Sequence, residues 1–237
     1  GCGGADVPPE LVRQAEKTLN CMTTRVYGSS EFPTLSAGNS KDSLELRAIT
    51  DGRLIGHAEC LVVDEGDNPL SPNNTGDLLV RGPELFVGYL DAKLNDEAFT
   101  SDGWFRTGDL AQINDQGFVT IKGRRKDIIL RGGENISAKE IEDLLFEHPA
   151  INDIAAVGMP DPVMVERICA YVVLRPDMEI TLQDITDFLD QHKIAKQKLP
   201  ERLELIDVLP VTASGKIQKF KLREDIAQKL AAELSKT

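Results

Sequence analysis

The chain has 237 residues, 41% of them hydrophobic and 28% charged, which suits one large or two smaller globular domains. Its formal net charge of −12 argues against nucleic acid as the main partner, because phosphate backbones are bound by clustered Lys and Arg. The longest apolar run, residues 168–174, is too short to cross a bilayer. The four cysteines are not spaced as in a metal site or a redox motif. The sequence therefore predicts a cytoplasmic protein without a transmembrane segment, and it leaves the oligomeric state open.

The first half of the chain opens with a predicted helix and then changes to β structure. The helix begins after Pro8, with Leu11, Ala15 and Leu19 on one face, and a polar loop occupies residues 28–43. Short strands bounded by turn residues are predicted at 23–27, 53–63, 76–81, 110–113 and 118–121. Strands at this spacing favour a small barrel or sandwich.

After residue 125 the pattern changes to the order β-α-β-β-α-β-α, which describes a compact α+β domain. The predicted strands of this part lie at 127–130, 151–158, 167–174 and 202–206. A capping box of Ser137 and Glu140 opens the first helix, and Thr181 caps the second. The last helix repeats Leu or Ile at every fourth position from residue 222.

Two loops of the first half carry residues whose chemistry suits a nucleotide. In residues 27–31 (Tyr-Gly-Ser-Ser-Glu), Gly28 permits close approach of a ligand, the hydroxyls can bind phosphate, and the Glu31 carboxylate can hold Mg²⁺. Residues 106–109 (Arg-Thr-Gly-Asp) end in a carboxylate that suits the paired hydroxyls of a ribose. Each loop taken alone is more often an ordinary polar turn.

Two further loops lie in the second half. Residues 123–136 join a basic cluster to an apolar strand and a Gly-Gly turn, a combination more specific than a solvated linker. Residues 210–217 present Lys216 on a Ser-Gly turn. Such a lysine could neutralise a carboxylate as that group attacks an α-phosphate, although an isolated Ser-Gly-Lys is more often a solvated loop.

Together, and in this order, the four loops resemble those of the AMP-forming acyl-CoA synthetases, relatives of luciferases and of peptide-synthetase adenylation domains. The resemblance covers nearly the whole chain, from residues 3–5 (Gly-Gly-Ala) to the Lys216 loop. It implies a mixed α+β fold in two parts. Residues 1–125 would be the end of a large AMP-binding domain with a β-barrel-like subdomain, and residues 126–237 a small, mobile α+β lid domain.

The resemblance also implies nucleotide contacts for individual residues. Gly4 would border the adenine and acyl pockets, Tyr27 would stack on adenine, and Ser30 would contact phosphate. Asp109 would bind the ribose, and Arg124 would make a second contact to the nucleotide. Ser30 is a mild departure, because the family usually has Thr there, but the hydroxyl is kept.

The remaining roles concern metal binding, catalysis and movement. Glu31 matches the Mg²⁺ ligand, Lys216 the catalytic lysine of adenylate formation, and Lys126 the hinge about which the small domain turns. The loop that lines the pantetheine tunnel is matched by Gly132, Gly133 and Glu134.

The family resemblance implies an ATP-dependent ligase that activates a carboxylic acid, expected to be fatty or aromatic, as acyl-AMP and transfers it to coenzyme A. ATP, Mg²⁺ and CoA as co-substrate follow from this. The family's phosphate-binding loop has no counterpart in these residues, so the chain is expected to be an inactive fragment of a longer enzyme. The alternatives are an adenylation enzyme that loads a carrier-protein phosphopantetheine, a luciferase, and a non-catalytic binding module.

Overall fold

The computed structural model describes residues 1–213 and 215–235. It divides the chain into a first compact unit that ends at Lys126 and a second that begins at Asp127. Both units combine helices with antiparallel strand pairs, so the predicted mixed fold class is confirmed. None of the described helices is long and apolar enough to cross a membrane.

The first unit contains three helices and seven strands. The helices are α1 (Pro9–Leu19), α2 (Leu44–Ile49) and α3 (Ala92–Ala98). The strands are β1 (Val26–Tyr27), β2 (Ser36–Ala37), β3 (Arg53–Leu54), β4 (Glu59–Val63), β5 (Thr75–Arg81), β6 (Phe105–Ile113) and β7 (Val119–Arg124).

The strands of the first unit form two antiparallel sheets, β1-β2-β3 and β4-β5-β6-β7. The second sheet is open among the described residues, with β4 and β7 at its edges, so the barrel-like expectation is corrected to an open sheet. The predicted strand 53–63 is also wrong, because β3 and β4 belong to different sheets and Gly56, at φ +62°, lies in the turn between them. The sequence pattern did not indicate α2 or α3.

Helix α1 forms as predicted, but a different residue is buried. Val12 is fully buried and packs with Val7 and Ala48, whereas Leu11 and Leu19 are exposed. A helix that packs on one short neighbour buries only a narrow stripe, and the spacing of apolar residues does not show which stripe that is. Arg13 of α1 and Glu45 of α2 add an ion pair of 2.8 Å.

The second unit is a five-stranded sheet covered by helices on both faces. Its strands are β8 (Ile128–Arg131), β9 (Glu134–Ser137), β10 (Ile151–Asp161), β11 (Val165–Leu174) and β12 (Arg202–Leu205), and its helices are α4 (Ala138–Leu145), α5 (Leu182–Gln191) and α6 (Lys219–Leu234). The strand order is β10-β11-β8-β9, with β12 parallel to β11.

Side chains of β11 alternate between the two faces of this sheet, as a strand requires. Ile168 and Val172 pack in the cluster that contains the apolar faces of α4 and α5. Tyr171 packs in the other cluster with Leu222 and Ile226 of α6. The second unit is therefore a three-layer arrangement with its own core.

One of the two predicted N-caps of this unit is confirmed. Thr181 and Asp184 form a reciprocal capping box, with Asp184 Oδ2 accepting from the Thr181 N–H at 2.8 Å. The Ser137–Glu140 capping box is wrong, because the Ser137 side chain makes no capping hydrogen bond and Glu140 instead accepts from Lys198 at 2.7 Å.

The turn that joins β10 to β11 ends on Val165, whose φ of +68° is a left-handed conformation that β-branched residues rarely adopt. Glycine adopts it without a steric clash. We therefore expect Val165→Gly to raise the free energy of unfolding by about 1 kcal/mol, after allowing for the greater unfolded-state entropy of glycine. Urea unfolding measures the change. Val163→Gly, in the same turn and also exposed, is the control and should not stabilise the protein. Equal changes in the free energy of unfolding for the two variants would show that Val165 is not strained.

Candidate functional site

The loop that follows β1 is closed by the hydroxyl of Ser29. Its Oγ accepts hydrogen bonds from the backbone N–H groups of Glu31 at 3.2 Å and Phe32 at 3.1 Å. The neighbouring Ser30 is exposed. Ser29 thus fixes the turn, while Ser30, the residue matched to a phosphate contact, keeps its hydroxyl at the surface.

Two glycines near this loop allow close backbone packing. A Cβ on Gly28 would lie 2.2 Å from the carbonyl oxygen of Pro33, and a Cβ on Gly3 would lie 2.5 Å from that of Val26. Neither position accepts a side chain without movement of the backbone. Gly4 has a φ of +82° and open space where a side chain would stand, so its glycine meets a conformational need rather than a packing need.

Asp109 is the centre of a hydrogen-bonded cluster in the first unit. It lies on β6 directly opposite Arg124 of β7, and it is only 8% exposed. Tyr27 donates its hydroxyl to Asp109 Oδ2 at 2.5 Å, and Arg124 Nε donates to Oδ1 at 2.7 Å. The fold thus brings together three predicted site residues that are far apart in the sequence.

A bulge in β6 orients the Asp109 carboxylate. Between the paired positions Asp77–Leu110 and Leu79–Arg106, β6 has two more residues than β5. Gly108 lies in this bulge and takes a φ of +70°. Thr107 Oγ1 accepts from the Asp109 N–H at 3.1 Å and donates to the Leu78 carbonyl at 2.9 Å. Thr107 therefore fixes the backbone on which Asp109 is carried.

Glu31 has a partner that the sequence reasoning missed. The hydroxyl of Tyr89 donates to Glu31 Oε1 at 2.9 Å, although the two residues are separated by 57 others in the chain. The only sequence signal was a tyrosine after a Gly in an apolar loop. Such a signal is too common to indicate a site.

Neighbouring charges and burial shift the pKa values of Tyr27 and Glu31. Burial raises the pKa of the Tyr27 phenol above its usual range, and the Asp109 charge raises it further, so Tyr27 stays a neutral donor. Burial also acts to raise the pKa of Glu31. Hydrogen bonds from its own backbone and from Tyr89 and Ser29, with the charge of Arg124, outweigh burial and leave that pKa below its usual value.

The described residues contain no group of three or more His, Cys, Asp or Glu side chains that could hold a metal ion by themselves. The donor set fits Mg²⁺ in another way. This ion is commonly held by one or two carboxylates together with substrate phosphates and water, and Glu31 offers one ionised carboxylate on an ordered loop.

The Gly132-Gly133 turn joins β8 to β9 in the second unit. The φ angles of these glycines, +59° and +89°, suit a two-residue type I′ hairpin between Arg131 and Glu134. Gly132 also packs closely, because a Cβ there would lie 2.6 Å from the terminal methyl of Met164. The predicted turn is confirmed. The residues matched to the pantetheine tunnel, Gly132, Gly133 and Glu134, are all exposed.

Lys216 lies on a hairpin turn of the second unit. Thr212 N–H donates to the Lys216 carbonyl at 2.8 Å, Lys216 N–H donates to Thr212 Oγ1 at 3.1 Å, and Gly215 takes a φ of +83°. Ser214 of the same loop lies outside the described residues. The Lys216 side chain is exposed, so its ammonium is presented to solvent.

Lys126 is the last residue of the first unit, and each of its neighbours is held by an ion pair. Arg125 binds both carboxylate oxygens of Asp77 in the first unit, at 2.6 and 2.5 Å. Asp127 accepts from Arg223 in the second unit at 2.5 Å. The unit boundary after Lys126 therefore lies between two residues, Arg125 and Asp127, whose side chains are paired within their own units.

Comparisons with known proteins give consistent results. Residues 1–90 match the family model for AMP-binding enzymes, and residues 140–216 match that for the AMP-binding enzyme C-terminal domain. A medium-chain fatty-acid–CoA ligase from Escherichia coli is 40% identical over 98% of this chain and 41% of its own length. A vibriobactin-specific 2,3-dihydroxybenzoate-AMP ligase from Vibrio cholerae is 39% identical over 93% and 41%.

Solved structures agree with the sequence matches. ATP-bound MatB from Rhodopseudomonas palustris superposes with a TM-score of 0.88 at 29% identity, over 95% of this chain and 44% of that one. The chain thus spans about two fifths of the length of the curated relatives it matches, 41% in both cases.

Proposed function

Because this chain belongs to the adenylate-forming acyl-CoA synthetase family and carries that family's C-terminal domain, we propose that the complete protein activates a carboxylic acid with ATP and transfers it to coenzyme A. The observation that carries the proposal is the cluster of Tyr27, Asp109 and Arg124. A cytoplasmic location belongs to the same proposal, since four free cysteines suit a reducing compartment.

Asp109 is proposed to bind the ribose of ATP. An ionised carboxylate offers about four acceptor positions, of which Tyr27 and Arg124 use two. The others can accept the vicinal hydroxyls. In this arrangement the Tyr27 ring, fixed at its hydroxyl, stacks on adenine beside Gly4, and the half-exposed Arg124 makes a further contact to the nucleotide.

The phosphates are proposed to lie along the Ser29–Glu31 loop. Ser30 contributes an exposed hydroxyl, and Glu31 holds Mg²⁺ together with phosphate oxygens. When bound, Mg²⁺ neutralises phosphate charge and makes pyrophosphate a better leaving group.

Lys216 is proposed to act in the first half-reaction. An oxygen of the substrate carboxylate attacks the α-phosphorus of ATP, a P–O bond breaks, and pyrophosphate leaves with its electron pair. Two anions approach one another in this step, so a compact cation that contacts both lowers the barrier. An exposed ammonium on a backbone bonded to the Thr212 hydroxyl suits that task.

The second half-reaction is proposed to use a different loop of the second unit. Rotation at Lys126 withdraws Lys216 and presents the turn of Gly132, Gly133 and Glu134 to the pantetheine arm of CoA. The thiol sulfur attacks the acyl carbonyl, AMP departs with the electrons of the C–O bond, and the thiol proton is released. Small residues in the turn leave room for the narrow pantetheine chain.

A second candidate function is favoured by the relative named as an AMP ligase. Here the acyl-adenylate would pass to a carrier-protein phosphopantetheine, which presents the same thiol on a protein. The non-catalytic binding module remains the alternative if no adenylate forms at all.

A substrate screen on the complete polypeptide tests these functions. Medium-chain fatty acids and hydroxybenzoates are supplied with ATP and Mg²⁺, and pyrophosphate release is measured separately from CoA-thioester formation. We expect both products with at least one acid. Pyrophosphate without thioester would favour the carrier-loading enzyme, and neither product would favour the binding module. We also propose that residues 1–237 alone do not turn over, because their sequence contains no phosphate-loop motif that would complete the binding of the β- and γ-phosphates beside the Ser29–Glu31 loop.

Lys126→Pro is expected to lower thioester formation much more than adenylate formation. Proline fixes φ near −65°, so it removes one of the torsions through which the second unit would reorient. Pyrophosphate release in the first turnover and the steady-state thioester rate separate the two effects. Lys126→Ala is the matched control, since it removes the charge but keeps the torsion. If Lys126→Pro leaves the overall rate unchanged, the hinge role is wrong.

A further inference from the structure

The aromatic ring of Tyr89 is held in one orientation. It packs edge-on against Phe86, with ring centroids 4.8 Å apart, and Phe86 stacks in turn on Phe99 at 5.6 Å. Phe105 meets Phe86 edge-on at 5.2 Å, so the support extends into the β4–β7 sheet. A phenol backed by this cluster cannot swing without disturbing packed rings.

The backbone of Tyr89 is fixed as well. The amide side chain of Asn95 accepts from the Tyr89 N–H at 2.7 Å and donates to the Tyr89 carbonyl at 3.2 Å. Asn95 lies in α3, whose N-cap Asp91 accepts from the Lys93 N–H. The short helix that the sequence pattern did not indicate thus anchors Tyr89.

The same segment is connected to Glu31 at two points. Phe86 N–H donates to the Glu31 carbonyl at 2.8 Å, and the Tyr89 hydroxyl donates to Glu31 Oε1 at 2.9 Å. The backbone and the carboxylate of Glu31 are therefore both positioned by residues 86–89. The phenol donates to Oε1, and the other carboxylate oxygen, Oε2, is the candidate metal ligand.

We propose that Tyr89 is a positioning residue for metal binding: its fixed phenol orients the Glu31 carboxylate so that Oε2 meets a divalent cation bound with ATP. The inference rests on the proposed function, in which Glu31 holds that cation. Groups that orient a ligating carboxylate matter because they pre-organise the site, and their loss commonly weakens metal affinity by about 10- to 100-fold.

Mn²⁺ binding tests the proposal without reliance on turnover. In the complete polypeptide, free Mn²⁺ is measured by electron paramagnetic resonance in the presence of an ATP analogue that cannot be cleaved between the α- and β-phosphates. We expect Tyr89→Phe, which keeps the ring and removes the hydroxyl, to raise the Kd for Mn²⁺ by about 10-fold. The Mg²⁺ concentration that gives half-maximal adenylation should rise in parallel. The adenylation rate at saturating Mg²⁺ should fall by a smaller factor.

Three further variants make the outcome decisive. Tyr171→Phe removes a hydroxyl that donates to Asp225 at 2.5 Å in the second unit, so it should leave Mn²⁺ affinity unchanged. Asn95→Leu, which releases the Tyr89 backbone, should raise the Kd and serves if Tyr89→Phe does not fold. Glu31→Gln should raise the Kd at least as much as Tyr89→Phe.

Two results would overturn the inference, and they differ in what else they imply. If Glu31→Gln weakens Mn²⁺ binding while Tyr89→Phe and Asn95→Leu do not, Tyr89 has no positioning role and the metal role of Glu31 stands. If Glu31→Gln also has no effect, the metal role in the proposed function fails together with the inference.

Discussion

Lys216→Ala is expected to slow adenylate formation by about 10²- to 10³-fold, the cost of removing one pre-organised charge from a site where negative charge develops. The Lys216 side chain is exposed, so its loss should not destabilise the fold. The turn that carries it is held by backbone groups and by Thr212, which the substitution leaves in place. The effect should therefore fall on chemistry alone.

The measurement separates the half-reactions. Pyrophosphate release reports adenylate formation, and thioester formation from supplied acyl-adenylate reports the second step, which should persist in Lys216→Ala. Lys221→Ala, an exposed lysine near the same loop, is the matched control and should leave both steps unchanged. Equal losses in the two half-reactions would refute the assignment of Lys216.

Lys219→Met is expected to lower the free energy of unfolding by about 3–5 kcal/mol, because it removes one charge of a buried ion pair. Lys219 lies at the start of α6 and pairs with Glu142 of α4 at 2.8 Å, with both side chains about one tenth exposed. Glu142 also accepts from the Ala156 N–H at 2.6 Å, which ties the pair to β10. The pair thus anchors the chain three residues after Lys216.

Urea unfolding followed by circular dichroism measures this loss. Lys198→Met is the matched control, since it breaks a more exposed pair with Glu140 of the same helix and should cost less than about 1 kcal/mol. Replacing Glu142 with Gln and Lys219 with Met together removes both charges and keeps an acceptor for the Ala156 N–H, so it should recover part of the stability. A loss no larger than that of the control would show that the buried pair does not anchor α6.

Short sequence motifs predicted the local structure correctly where the motif's contacts are made within a few residues. The Thr181 N-cap and the Gly132-Gly133 turn are confirmed, because each is closed by contacts within a few residues. The Ser137–Glu140 box failed for the opposite reason. Glu140 makes its contact with Lys198, a residue far along the chain, and a local motif cannot show such competition.

The candidate site was predictable only in part. Tyr27, Asp109 and Arg124 could be selected through the family resemblance, and their contacts depend on the pairing of β6 with β7. Thr107 and Tyr89 act through partners that only the folded chain brings near, so residue type and spacing gave no signal. The roles assigned to the site residues stay predictions that the experiments above test.

The position of the unit boundary at Lys126 has a mechanical consequence for the hinge that we propose. Arg125 is paired with Asp77 and Asp127 with Arg223, so rotation at this hinge would use the few backbone torsions around the Lys126 α-carbon. A flexible linker would let the second unit diffuse through a broad cone of orientations. With few torsions to vary, the hinge that we propose at Lys126 would restrict this reorientation to a small set of directions.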